Sequence, residues 1–197
     1  MPMYPDQTQL AQLEEKCLAI FQAGGRESAP EIAEQLLELP GLPLHSPYHH
    51  FLLAAALLTS AALCTGMEER EYCRKMTQAK DRAAQVPGGY CGQFGCCGAA
   101  VSAGIFASVW QNSAPTKKSG WAEGNLITAR ALEQIASVEG PRCCKRVTWL
   151  GLQGALEAIR ELLGLDLGQV EGHRCRFHDQ NRECLGEACP FFPSNGI

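Results

Sequence analysis

Eight of the 11 cysteines lie at or beyond residue 91, in groups: Cys91, Cys96 and Cys97; Cys143 and Cys144; Cys175, Cys184 and Cys189. Each adjacent pair sits in a glycine- or proline-marked turn just before a segment with helical patterning. A thiol at a helix start meets the positive end of the peptide dipoles, which favours the thiolate. Thiolates bind soft metals. The chemistry written most plainly in the chain is therefore metal or redox chemistry.

In Cys91-Gly-Gln-Phe-Gly-Cys96-Cys97-Gly, the residues Gly92, Gly95 and Gly98 can take positive φ and let backbone N–H groups converge on an anion. The pair Cys143 and Cys144 follows Gly140 and Pro141, with Arg142, Lys145 and Arg146 adding positive charge. Helix starts of this kind, converging, would suit an anionic iron–sulfur cluster of the 4Fe-4S type, with Gly92, Gly95, Gly98 and Arg142 as its cofactor contacts. Adjacent helical residues point about 100° apart. One cysteine of each pair is thus expected to ligate while the other packs, relays or reacts. The expected ligands are Cys91, one of Cys96 and Cys97, and one of Cys143 and Cys144. A fourth would come from the tail or from a histidine; without it, an iron stays open to substrate. Cys96, Cys97, Cys143, Cys144, His49 and His50 are the candidates for catalysis.

The tail carries a second set, Cys175-x2-His178-x5-Cys184-x4-Cys189-Pro190. Thiolates and an imidazole this close suit tetrahedral zinc, and equally an iron–sulfur cluster. His45, His49 and His50 stand at or before the start of an apolar helix, whose positive end disfavours imidazolium and leaves neutral rings free as ligands or bases. Cys17, Cys64 and Cys73 fall within or at the edges of helices and read as small apolar core residues. Trp110, Trp121 and Trp149 read as core or helix-contact residues.

These groups need a scaffold. Hydrophobic residues make up 46% of the 197 residues and charged ones 19%, enough for a sizeable core. The formal charge of −4 argues against a general nucleic-acid binder. The first 30 residues lack a basic-then-apolar leader, and the longest apolar run, Phe51 to Leu63, is short for a membrane span, so a cytoplasmic location is expected. An odd number of cysteines cannot all pair within one chain, and adjacent cysteines make poor disulfides. So many thiols without a leader suggest a reducing or anaerobic cell.

Leu10, Leu13, Cys17, Ile20 and Phe21 form a helical stripe ended by Gly24 and Gly25. Ser28 and Glu31 form a capping box for a helix to Leu39. Ser46 and Pro47 start an apolar central helix to about Cys64. A charged surface helix spans Glu68 to Gln85. The stretch from Cys97 to Trp110 is a helix of small residues, which permits close approach of a backbone or a cofactor. Trp121 to Val138 and Cys144 to about Leu163 complete the set. No segment alternates as a strand does. The expectation is an all-α helical bundle over residues 1–164, with a small irregular Cys/His-rich metal-binding tail, 165–197, packed on it.

His45-Ser-Pro-Tyr-His49-His50, Val86-Pro-Gly-Gly-Tyr-Cys91-Gly-Gln-Phe-Gly-Cys96-Cys97-Gly-Ala-Ala and Gly140-Pro-Arg-Cys143-Cys144-Lys-Arg together resemble an uncharacterised cysteine-rich domain family of anaerobic bacteria and archaea. The resemblance covers roughly Leu39 to Leu163. It implies an anaerobic redox or one-carbon setting, with a radical-SAM or methyltransferase protein as partner; it implies no established reaction. The function expected is metal binding, foremost of iron–sulfur, for electron transfer or redox and sulfur chemistry. The alternatives are a zinc- or thiolate-dependent enzyme of thiol or methyl-group transfer, and a non-catalytic soft-metal-binding interaction module.

Overall fold

The computed structural model describes residues 3–193, and the last four residues of the expected tail lie outside them. The described residues form eight α-helices and one 3-10 turn, with no strand. The fold is all-α, as the periodicity predicts.

Helix α1 (Gln7–Ala23) starts at Asp6, whose carboxylate accepts the N–H groups of Thr8 and Gln9, and stops at Gly24, at φ +69°. It buries Leu10, Leu13, Cys17 and Ile20, and Phe21 stacks on Tyr72 at 4.1 Å. Helix α2 (Ala29–Leu37) has the reciprocal Ser28–Glu31 capping box.

Helix α3 (His49–Thr65) is the axis of the molecule. His49 and every residue from Phe51 to Ala62 are buried. Helices α1, α2, α4 (Glu69–Ala83), α6 (Gly98–Trp110) and α8 (Cys144–Leu163) all pack against it. A helix apolar on all sides has no other stable place. It starts later than Pro47 because Ser46 and Pro47 form a turn whose carbonyls accept from His49 and His50 N–H; the first i→i−4 bond here is Leu52 N–H to Tyr48 at 3.1 Å. That turn and the first helical residues hold the histidines.

The small residues of α6 serve helix crossing. A side chain on Gly104 would collide with Thr128 of α7 (Trp121–Ala136). Gly154 of α8 lies directly against the backbone of Arg130 in α7. A short helix that the sequence did not announce, α5 (Tyr90–Phe94), is bracketed by Gly89 at φ +79° and Gly95 at φ +64°. Trp121, expected among the core or contact residues, is 56% exposed at the start of α7.

After Gly164 the chain turns back over α2 and α8. The Leu167 carbonyl accepts from Ala29 N–H at 2.9 Å. The His173 ring stacks on Trp149 at 3.7 Å. Arg176 pairs with Glu38 at 2.6 Å, and Phe191 is buried. These contacts lay the tail against the start of α8. No helix among the described residues is long and apolar enough to cross a membrane.

Candidate metal centre

Helix α8 opens on the cysteine pair. Cys143 is the N-cap in extended conformation, and its Sγ accepts the Arg146 N–H at 3.5 Å; Cys144 is the first helical residue. The change of backbone conformation between them separates their side chains. Cys143 lines a cavity under the tail, together with Cys175, Cys184 and Cys189. Cys144 lines another, with Cys91, Cys97, His49 and His50.

The first cavity draws four thiols from two distant stretches of chain. Peptide and amide N–H groups point at three of the sulfurs. Asn181 Nδ2 donates to Cys143 at 3.4 Å, Phe177 N–H to Cys175 at 3.4 Å and Gly186 N–H to Cys184 at 3.4 Å. Donors of this kind favour a thiolate over a thiol. The walls between the sulfurs are apolar and aromatic, from Trp149, Phe177, Phe191 and Phe192. His178, the expected tail ligand, is also in the wall, with Nδ1 buried, without a hydrogen-bond partner and 3.9 Å from the Asp179 carboxylate.

Positive charge is buried beside these sulfurs. Lys145 is 2% exposed, donating from Nζ to Tyr48 Oη at 2.9 Å and to the Leu37 carbonyl at 3.3 Å. Burial pushes its amine down to about 8, and the sulfurs of Cys144, Cys143 and Cys175 pull it back up. Arg146 is buried as well, its Nη2 donating to the Glu139 and Pro141 carbonyls at 3.0 and 2.6 Å. Buried cations are costly without a counter-charge. A thiolate-held anionic centre would be that counter-charge.

The second cavity has an open volume of about 220 Å³. The starts of α3, α6 and α8 all contribute to its wall, and so does Arg142. Both histidines are held by Nδ1: His49 to the Ser46 carbonyl at 2.9 Å and His50 to the Val86 carbonyl at 3.0 Å. Burial lowers the basicity of both rings, most strongly for His49, where the Lys145 charge adds to it. The shift runs in the direction expected, towards the neutral ring, with burial rather than the helix start as its leading cause. The His50 ring lies where a Gly98 side chain would be, so Gly98 makes room for a histidine.

One expectation is corrected. The thiols of Cys96, Cys97 and Cys144 are raised rather than lowered. Burial pushes Cys144 up to about 11 against the pull of Arg142. It raises Cys97 against the amides of Ala99 and Ala100, and raises Cys96 and Cys175 too. Desolvation of a thiolate outweighs the dipole. A thiol raised in this way is a poorer nucleophile near neutral pH, and a bound metal would displace its proton.

Not every expected residue reaches a cavity. Cys96 lies outside both linings, its Sγ 3.9 Å from the Cys97 carbonyl. Gly92 and Gly95 also lie outside both; Gly95 is a glycine because it closes α5 at positive φ. Cys17 is in the core, whereas Cys64 is exposed at the end of α3. Among the described residues, no three Cys, His, Asp or Glu side chains are drawn together as a ready-made site for one metal ion.

Asn181 was not foreseen. His45 Nδ1 accepts the Cys144 N–H at 3.4 Å, so Nε2 carries the proton and donates to Asn181 Oδ1 at 3.2 Å. Asn181 then donates to Cys143. A hydrogen-bonded path thus runs from the backbone of one cysteine to the sulfur of the other. A lone Asn in an irregular tail carries no spacing signal that could have revealed this.

A protein-family model matches residues 18–192, and its description is "Family of unknown function (DUF5714)". No curated protein and no solved structure matches the chain.

Proposed function

The chain belongs to DUF5714, and from that premise we propose that it holds an iron–sulfur cluster on Cys143, Cys175, Cys184 and Cys189 and serves electron transfer or redox chemistry. The observation that carries this reading is that four thiols line one aromatic-walled cavity, from which they would close on a cluster as it binds. The donor set fits: thiolates are the ligands such clusters take, and N–H donors to sulfur together with buried cations tune them. When bound, the cluster supplies one-electron exchange. The chain's own part is plain. Phe177, Phe191 and Trp149 keep water away, and the amides of Phe177 and Gly186 spread charge off the sulfurs. Lys145 and Arg146 supply positive charge from the α8 side.

All 11 cysteines are free, which suits a reducing, anaerobic cytoplasm. A radical-SAM or methyltransferase protein is the partner class that the resemblance of the paired-cysteine motifs implies. A structural zinc ion is the second reading. It is favoured by the tight turns in which Phe177 and Gly186 N–H reach the sulfur two residues back.

Anaerobic isolation and reconstitution, followed by metal and acid-labile sulfide analysis, test the reading. Iron with matching sulfide and a broad visible absorption bleached by dithionite is the expected result. Stoichiometric zinc in a colourless protein would move the assignment to zinc. Protein that takes up neither would end both.

A further inference from the structure

The second cavity uses none of the four thiols of the tail centre. Its most telling atom is His49 Nε2. A carbonyl only accepts, so the Nδ1 contact with Ser46 fixes the proton there and leaves Nε2 a bare lone pair. The ring is 1% exposed, it forms part of the cavity wall, and Nε2 has no hydrogen-bond partner. A buried acceptor left unpaired calls for an explanation, and a bound ion is one. His50 repeats the arrangement: its Nδ1 is tied to Val86, and its Nε2 edge lies over Gly98 at the start of α6. A histidine that gives one ring N–H to a backbone carbonyl and holds the other nitrogen free is the usual form of a metal-ligating imidazole.

The same wall carries Cys97 and Cys144, close enough for Cys144 to feel the charge of Cys97. Its lining includes no carboxylate. That composition disfavours hard cations such as magnesium and calcium, which take oxygen ligands. Imidazole with thiolate selects zinc-type ions. The electrostatics agree. Three helix starts and Arg142 face the cavity, so a bare dication would be repelled. A dication carrying thiolates is neutral or negative, and is not.

We propose that this cavity is a second, independent metal site, in which Nε2 of His49 and His50 and the sulfurs of Cys97 and Cys144, which share its wall without already standing at ligating distance, close on one divalent ion of the zinc or iron(II) type. Each ligating thiol gives its proton to solvent as the metal–sulfur bond forms, and no electron is transferred. The volume of about 220 Å³ exceeds what an ion needs, which leaves space for a small molecule beside it. Cys91, also in the wall, would face that space.

Cobalt(II), a spectroscopic stand-in for zinc, is the probe. Full-length protein with its tail centre filled anaerobically is titrated with cobalt(II), and both absorption and metal content are read. The expected result is one further metal per chain, with sulfur-to-cobalt charge transfer and tetrahedral ligand-field bands. Cys97→Ser and His50→Gln, at positions only partly buried, should each weaken this uptake by roughly tenfold or more. His49→Gln should do the same wherever far-UV circular dichroism shows the fold retained. Cys184→Ser should leave the cobalt signal intact while depleting the tail centre. No cobalt uptake by wild type, or uptake unchanged in both Cys97→Ser and His50→Gln, overturns the proposal. Either result leaves the tail-centre reading standing. Conversely, cobalt uptake by a chain that holds neither iron nor zinc at the tail sinks only the latter.

Discussion

Cys143 and Cys144, joined by one peptide bond, line different cavities. The N-cap position holds one in extended backbone and the next residue enters the helix, so the pair divides its sulfurs between two cavities. Serine at the two positions should therefore act differently. Cys143→Ser should deplete iron and sulfide from the tail centre, since serine keeps the cap but removes a soft ligand. Cys144→Ser should leave that content unchanged. Metal and sulfide analysis of the two purified variants decides it; equal losses would mean that the division has no chemical consequence.

Asn181 links this pair to the tail. It donates to Cys143, accepts from Glu183 N–H at 3.0 Å and meets His45 at 3.2 Å, while only 8% exposed. Leucine fills similar volume and satisfies none of these partners. Asn181→Leu should destabilise the metal-free, reduced protein by about 1–3 kcal/mol, read from urea unfolding. It should also speed loss of the tail centre to a chelator. A urea midpoint like that of wild type would show that the polar path carries no stability.

The helices were legible because their signals are local. The Ser28–Glu31 box, the Leu10–Ile20 stripe and the all-apolar α3 each state their own structure. The cysteine groups were legible as candidates for chemistry, and of the expected Cys91, one of Cys96 and Cys97, and one of Cys143 and Cys144, the residues Cys91, Cys97 and Cys144 line one cavity without forming a ready-made metal site. The pairing of Cys143 with the tail was not legible, because it depends on where an irregular segment folds back, and no periodicity encodes that. Thiol basicity was misjudged for a related reason. The dipole can be read from a helix start, but burial depends on what the rest of the chain packs on top. Cys144, under the α3 histidines, shows the second effect winning.

Lys145 is a buried amine on which the sulfurs of Cys143 and Cys175 act, and its Nζ lies 4.4 Å from the Phe177 ring centre. Adding an electron to a nearby cluster makes its cationic form more favourable. Lys145→Met should therefore make the tail centre harder to reduce, shifting its potential to more negative values, while Lys145→Arg should move it far less. Spectroelectrochemical titration of the reconstituted variants measures this. A Met variant with an unmoved potential would remove Lys145 from the redox account.

Gly154 sets the distance between α7 and α8. A methyl group there would meet the Arg130 backbone and, at 3.0 Å, Gln134 Cγ. The helix-propensity gain of alanine is up to about 1 kcal/mol, whereas overpacking against a main chain costs about 1–3 kcal/mol. Gly154→Ala should therefore be net destabilising in urea unfolding. Gly124→Ala in α7, where nothing lies within 4 Å of the added methyl, should not be.

Cys17 gives the fold a pH signature in the alkaline range. Burial pushes its thiol from 9.0 up to about 12. The folded state therefore keeps a proton that the unfolded state loses. Stability from this group is complete below 9.0 and falls as pH rises from there towards 12. The slope is about 1.4 kcal/mol per pH unit for one group. Cys17→Ala removes that group and nothing else that titrates, so the variant should lose stability more slowly over the same interval. The difference between the two urea-unfolding curves, followed against pH on metal-free reduced protein, isolates Cys17 from the other thiols. Parallel curves would mean that Cys17 ionises as readily folded as unfolded, and that the core around α1 and α3 admits water.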